Sequence, residues 1–153
     1  MPKIEDSFKK DKSEIKNTVY IEAAITEDGA IPDIPTHGDD AVVFRALWDT
    51  GATISCIDSR VIERLSLVHT GSYLDVADEK GATRKVKSYY VNLYALDGGK
   101  IVHQLHVANV GYYGIDIIIG MDVIMNGDLR VHSDGDNFDF SFCFPERNLE
   151  KVI

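Results

Sequence analysis

The chain has 153 residues, 27% of them charged, and a formal net charge of −9. That length suits one domain with a sizeable core, and the acidic balance excludes a general nucleic-acid binder, which needs a basic footprint. No run approaches the ~20 apolar residues of a membrane span. The polar start Met1-Pro2-Lys3-Ile4-Glu5-Asp6 lacks the apolar core of a secretory signal, so a cytoplasmic protein with no membrane partner is expected.

Residues 1–14 are charged and aperiodic and read as a polar, frayed tail, leaving residues 15–153 as the single domain. Residues 19–25 are strand-like and end at the turn signal Glu27-Asp28-Gly29. Residues 29–40, with Pro32, Pro35 and Gly38, read as an inserted loop. A second strand covers residues 41–48.

Residues 59–65 are the clearest helix. Asp58 or Ser59 is placed to cap it, and Ile62 and Leu65 share one face. Residues 72–77 and 83–96 read as strands of a long hairpin turning at Asp78-Glu79-Lys80-Gly81. Asp97-Gly98-Gly99 turns into a further strand through residue 110.

Residues 115–119 are apolar apart from Asp116, as in a strand buried on both faces. Residues 121–125 are expected to make one helical turn. Asp134-Gly135 turns between a strand at 129–131 and a last one at 137–144. That last strand sets Phe138, Phe140, Phe142 and Phe144 on one face, which must be covered by a core or an interface. Tyr89, Tyr90, Tyr112 and Tyr113 either line a pocket or are half-buried strand aromatics; the second is expected.

Cys56 and Cys143 match no zinc or redox spacing and are expected as buried free thiols. The five histidines do not cluster; His103 and His106 alternate across a strand, which disfavours a shared metal. No Gly-rich loop precedes a helix. No metal and no cofactor is therefore expected.

The chemistry lies in Leu47-Trp48-Asp49-Thr50-Gly51-Ala52. An apolar strand delivers a carboxylate, a hydroxyl residue comes next that can lock a bend, and a glycine permits the bend and a close backbone approach. A carboxylate on a rigid turn at a strand end suits acid–base work. The tripeptide Asp-Thr-Gly alone is weak, since chance produces it in about one chain in thirty of this length. The order of the later elements adds to it: the helix, the hairpin with Gly81 near its tip, then Ile117-Ile118-Ile119-Gly120-Met121-Asp122.

On these pieces, over residues 18–144, the sequence resembles the retropepsin-like aspartic peptidases. The resemblance implies a mostly-β fold. It would be a closed, barrel-like half of an acid protease with one main short helix and an active site on a two-fold dimer axis. It implies that Asp49 is the catalytic aspartate and that Thr50 hydrogen-bonds across the axis. Gly51 would contact substrate backbone, with Ala52 completing the loop, and Gly120 would let the apolar strand pass beneath it. Residues 74–91 would be a flap, with Val76, Ala77, Asp78 and Gly81 of that hairpin, together with Ile54 and Ile119, contacting a peptide or protein substrate.

There are departures. Thr53 and Ile54 stand where retroviral members carry acidic residues, and Met121 stands where they carry the arginine that pairs with one of those acids. Acid and arginine are absent together, which leaves no buried charge unpaired.

Asp-Thr-Gly occurs once, so an aspartyl dyad would need a second chain, and a homodimer is implied. Ala52 lacks the hydroxyl that a serine would offer an ionised carboxylate, so activity is expected to peak at mildly acidic to near-neutral pH. The competing readings are a non-proteolytic peptide- or protein-binding module on the same fold, and a structural β-domain with no site.

Overall fold

The computed structural model of the protein describes residues 3–9, 16–24, 42–78, 80–94 and 100–143. The strands are β1 (Lys3–Lys9), β2 (Lys16–Ala23), β3 (Val42–Trp48), β4 (Cys56–Ile57), β5 (Tyr73–Ala77), β6 (Thr83–Tyr94), β7 (Lys100–Asn109), β8 (Ile117–Ile119), β9 (Asp128–Ser133) and β10 (Asn137–Cys143). Two helices join them, α1 (Ser59–Leu65) and α2 (Met121–Ile124).

Six strands run in the order β2-β3-β8-β4-β7-β6, and pairing of β2 with β6 closes them into a barrel. β5 hangs on β6 as the outer half of a hairpin, and β1-β10-β9 form a separate antiparallel sheet. The fold is mostly β, with a closed barrel and few helices.

The strands form where the sequence alternates. In β3, Phe44, Ala46 and Trp48 point into the core while Val43 and Arg45 face outward. β8 is the exception that its composition announces. It lies between β3, parallel, and β4, antiparallel; Ile117 and Ile119 enter the main core and Ile118 a second, smaller cluster. Both faces are covered, so every position is apolar.

The β6–β7 ladder carries a register shift between Val91 and Leu93. Near it Gln104 adopts a left-handed backbone (φ 57°) and its N–H donates to Asn92 Oδ1 at 2.9 Å.

Of the two candidate caps of α1, Asp58 holds the N-cap: its side chain accepts the N–H of Arg60. Ser66 ends the helix in the left-handed region (φ 50°). Val61 is buried, and Ile62 and Leu65 pack on the core. On the aromatic face expected for the last strand, Phe144 lies outside the described residues. Phe140 and Phe142 are buried, with ring centroids 6.2 and 4.7 Å from that of Trp48. Trp48 thus ties the three-stranded sheet to the barrel one residue before Asp49.

Three expectations differ. Residues 3–9, read as part of a frayed tail, form β1 and pair along β10, from Lys3 opposite Cys143 to Lys9 opposite Asn137. Tyr112 and Tyr113 are exposed residues of the loop between β7 and β8, whereas Tyr89 is buried and Tyr90 half-buried on β6. Cys56 is buried but Cys143 only half-buried, both as free thiols. The loop expected at 29–40 and the turn at 97–99 lie outside the described residues. Among the described residues, no helix is long and apolar enough to cross a membrane.

Candidate active site

The chain leaves β3 at Asp49, crosses over the end of β8 and returns as β4 on the far side of β8. The crossing loop, residues 49–55, is pinned at several points. Asp49 N–H donates to the Ile119 carbonyl at 2.9 Å, and Ala52 N–H to the Asp49 carbonyl at 3.2 Å. Gly51 N–H donates to Asp49 Oδ1 at 2.8 Å. The loop therefore turns back on its own carboxylate and fixes one of its two oxygens.

Beneath the loop lies Gly120. A Cβ there would stand 2.8 Å from the carbonyl oxygens of both Ala52 and Ile54. Real Cβ contacts do not come that close, so the crossing requires glycine at this position. The next residue secures the same spot, with Met121 N–H donating to the Ala52 carbonyl at 2.8 Å.

The far end of the loop is held by side chains. Ser55 is fully buried. Its Oγ donates to Asp122 Oδ1 at 2.7 Å and accepts the N–H of Gly120 at 3.0 Å. Ser55 N–H donates to Asp122 Oδ2 at 2.9 Å, and Val123 N–H donates to Asp122 Oδ1 at 3.0 Å. One acid at the start of α2 thus anchors the loop that starts at Asp49.

Asp49 is half-buried, and Thr50 and Gly51 are exposed beside it. Among the described residues, the Thr50 hydroxyl has no partner within its own chain. Cys56 lies close by without joining the chemistry. Burial, then the nearby carboxylates of Asp122 and Asp49, push its thiol up to about 11. It stays protonated at neutral pH and is no nucleophile.

The hairpin of β5 and β6 borders the site. Cys56, Val86, Ala108 and Ile118 form the second apolar cluster, and Ala52, Ile54, Leu74, Val76 and Val110 pack against it. Loop residues and hairpin residues therefore share one apolar patch. At the hairpin tip Asp78 Oδ1 accepts the N–H groups of Lys80 and Ala82 at 2.8 and 2.9 Å, and Gly81 takes φ 80°.

Asp49, Thr50, Gly51, Ala52 and Gly120 come together in the loop and the strand end beneath it. Val76 and Ile54 join them through the second cluster. Ala77 is exposed on the opposite side of the hairpin from Val76, and the Asp78 carboxylate is taken up by its own turn. Ile119 is wholly buried in the main core; on that strand Ile118 faces the loop side. Thr53 is exposed, and Met121 packs on the core.

The sequence reading passed over the Ser55–Asp122 pair. Both residues lie inside the motifs that drew attention, but nothing local links a serine to an acid 67 positions away.

A family model described as "Aspartyl protease" matches residues 35–123, more than half of the chain. The chain belongs to the aspartyl protease family. Among solved structures, a retropepsin-like aspartic protease from Rickettsia conorii matches with a TM-score of 0.52 and 13% identity, covering 91% of each chain. The retroviral protease-like domain of Ddi1 from Leishmania major matches with a TM-score of 0.41 and 20% identity, over 71% of this chain and 90% of that one. At its low identity the Rickettsia match shows a shared fold. None of the curated proteins matches. Within the aspartyl protease family the fold is the retropepsin-like one, and Asp49-Thr50-Gly51 falls inside the matched segment.

Proposed function

We propose that the protein is an aspartic endopeptidase whose catalytic pair is made of Asp49 from each of two identical chains. The half-buried Asp49 carboxylate carries this reading: it sits on a cross-braced loop, with Oδ1 held by Gly51 N–H. The motif occurs once, so the second carboxylate comes from a twin, and a two-fold axis puts identical residues face to face.

Two carboxylates about 3 Å apart share one proton, because both cannot ionise. The ionised member takes a proton from a water held between them, and the water oxygen attacks the scissile carbonyl carbon. The protonated member donates to the carbonyl oxygen. When the tetrahedral intermediate collapses the C–N bond breaks, and the amine leaves with a proton delivered by the pair. Thr50, exposed beside Asp49, is free to bond its copy across the axis. The β5–β6 hairpin would cover the substrate and exclude water.

The test is cleavage of a broad peptide library by the wild type and by Asp49→Asn, with sedimentation equilibrium on both. Wild-type cleavage, loss of it in the variant and a dimer in both are expected, with an activity maximum at mildly acidic to near-neutral pH. Undiminished cleavage by Asp49→Asn, or a wild type that cleaves as a monomer, would remove the shared pair from the mechanism.

A further inference from the structure

The inner face of the flap hairpin is not wholly apolar. In the β5–β6 ladder Leu74 stands opposite Val86 and Val76 opposite Arg84. Directly opposed residues of an antiparallel pair point to the same side of the sheet. Leu74, Val76 and Val86 belong to the cluster shared with Ala52 and Ile54, so Arg84 is on the side of the hairpin that faces the active-site loop. Its one described bond agrees: Arg84 Nη2 donates to the carbonyl of Val110, a member of the same cluster, at 3.5 Å.

The neighbouring cation is disposed differently. Lys85 lies on the outer side, where it pairs with Asp75 at 3.3 Å. Arg84 has no carboxylate partner among the described residues, in a chain with 25 acidic side chains. A guanidinium offers five N–H donors in a fork that fits a carboxylate. One long bond to a carbonyl leaves most of them open, beside the apolar wall that would hold a peptide.

We propose that Arg84 is a specificity-determining residue that receives an acidic side chain of the peptide lying beneath the flap. This rests on the peptidase reading and adds the substrate class: peptides with Glu or Asp near the scissile bond, and aliphatic residues against Val76 and Ile54. Closing the hairpin over the peptide lowers the local dielectric, which strengthens a carboxylate–guanidinium contact. An amide isostere leaves the cation enclosed without its counter-charge, so discrimination comes from the unpaired state as much as from the pair.

Peptide pairs taken from the library and differing only in Glu against Gln at each flanking position test this, with kcat/KM measured for wild type, Arg84→Gln, Arg84→Glu and Lys85→Gln. The wild type should favour Glu at one position by about 10- to 100-fold, the range expected for a hydrogen-bonded charge. Arg84→Gln should bring that ratio near one, Arg84→Glu should reverse it in favour of Gln, and Lys85→Gln should leave it unchanged.

Binding of the same peptides to Asp49→Asn, with and without Arg84→Gln, is measured by calorimetry. If no peptide is cleaved but Glu peptides bind more tightly and only while Arg84 is present, the peptidase reading fails and the acidic-peptide site stands. If peptides are cleaved with a Glu preference that survives Arg84→Gln, or if neither readout distinguishes Glu from Gln, the proposal is overturned.

Discussion

The Ser55 hydroxyl reaches Asp122 Oδ1 at 2.7 Å and takes the Gly120 N–H at 3.0 Å, joining the end of the Asp49 loop to the start of α2. A single buried oxygen therefore bonds both strand-end segments that build the site. Ser55→Ala removes a hydrogen bond to a charged group and leaves a buried N–H without a partner. A loss of about 2 kcal/mol is expected, read as a lower urea midpoint at unchanged slope. Cleavage should fall at least tenfold, because the loop that orients Asp49 loosens. Asp122→Asn should lose less than Asp122→Ala, since the amide oxygen still accepts one bond.

Gly120→Ala tests the crossing itself. The added methyl meets two backbone oxygens at 2.8 Å, and neither is the end of a flexible side chain. About 1–3 kcal/mol of destabilisation is expected from such overpacking, with cleavage falling about a hundredfold as the loop is displaced. Gly81→Ala is the contrast. Its Cβ meets nothing within 4 Å but the backbone must adopt φ 80°, so about 1 kcal/mol of local strain is expected with the Asp49 loop undisturbed. Equal activity losses in the two variants would contradict this division.

Asp58 makes stability depend on acid pH. It is wholly buried, which by itself pushes its carboxyl up. The Arg60 guanidinium and the backbone N–H groups of Arg60, Gly114 and Tyr113 outweigh that and hold it well below the usual carboxylate range. A group depressed in the folded state stabilises above its unfolded value, about 3.9, and loses that contribution as pH falls through the folded one. Unfolding free energy should therefore stay level in this respect from neutral pH to about pH 5 and decline below about pH 4. Asp58→Asn should be less stable at pH 7, and the gap to wild type should narrow at pH 3. A gap that stays constant with pH would exclude Asp58 as a source.

Phe142→Ala probes the attachment of the three-stranded sheet. Phe142 is 1% exposed and its ring lies 4.7 Å from Trp48. Emptying such a site costs about 3–5 kcal/mol. Trp48 is the sole tryptophan, so its fluorescence should shift to the red as the neighbouring ring disappears. Since Trp48 precedes Asp49, catalysis should weaken along with stability.

The features legible in the sequence had local causes. The helix at residues 59–65 was foreseen because its cap and its apolar spacing lie within a few positions. β8 was foreseen because a strand covered on both faces must be apolar throughout. The β5–β6 hairpin was foreseen from its turn residues. Other features had no local cause. β4 has two residues and leaves no periodic trace. β1 is mostly polar and becomes a strand because β10, near the other end of the chain, offers it a partner.

Residue order alone was enough to mark a mostly-β protein carrying one acidic loop of the retropepsin kind, since strand periodicity and turn chemistry are short-range properties. The manner in which the loop is held, with Ser55 bonded to Asp122 and Gly120 beneath Ala52 and Ile54, emerged only from the folded chain. So did the facing of the β5–β6 hairpin residues, with Val76 and Arg84 inward and Ala77 outside. These features depend on register and chain crossing, which bring together residues as distant as Ser55 and Asp122, 67 positions apart, and are set by the closed barrel as a whole.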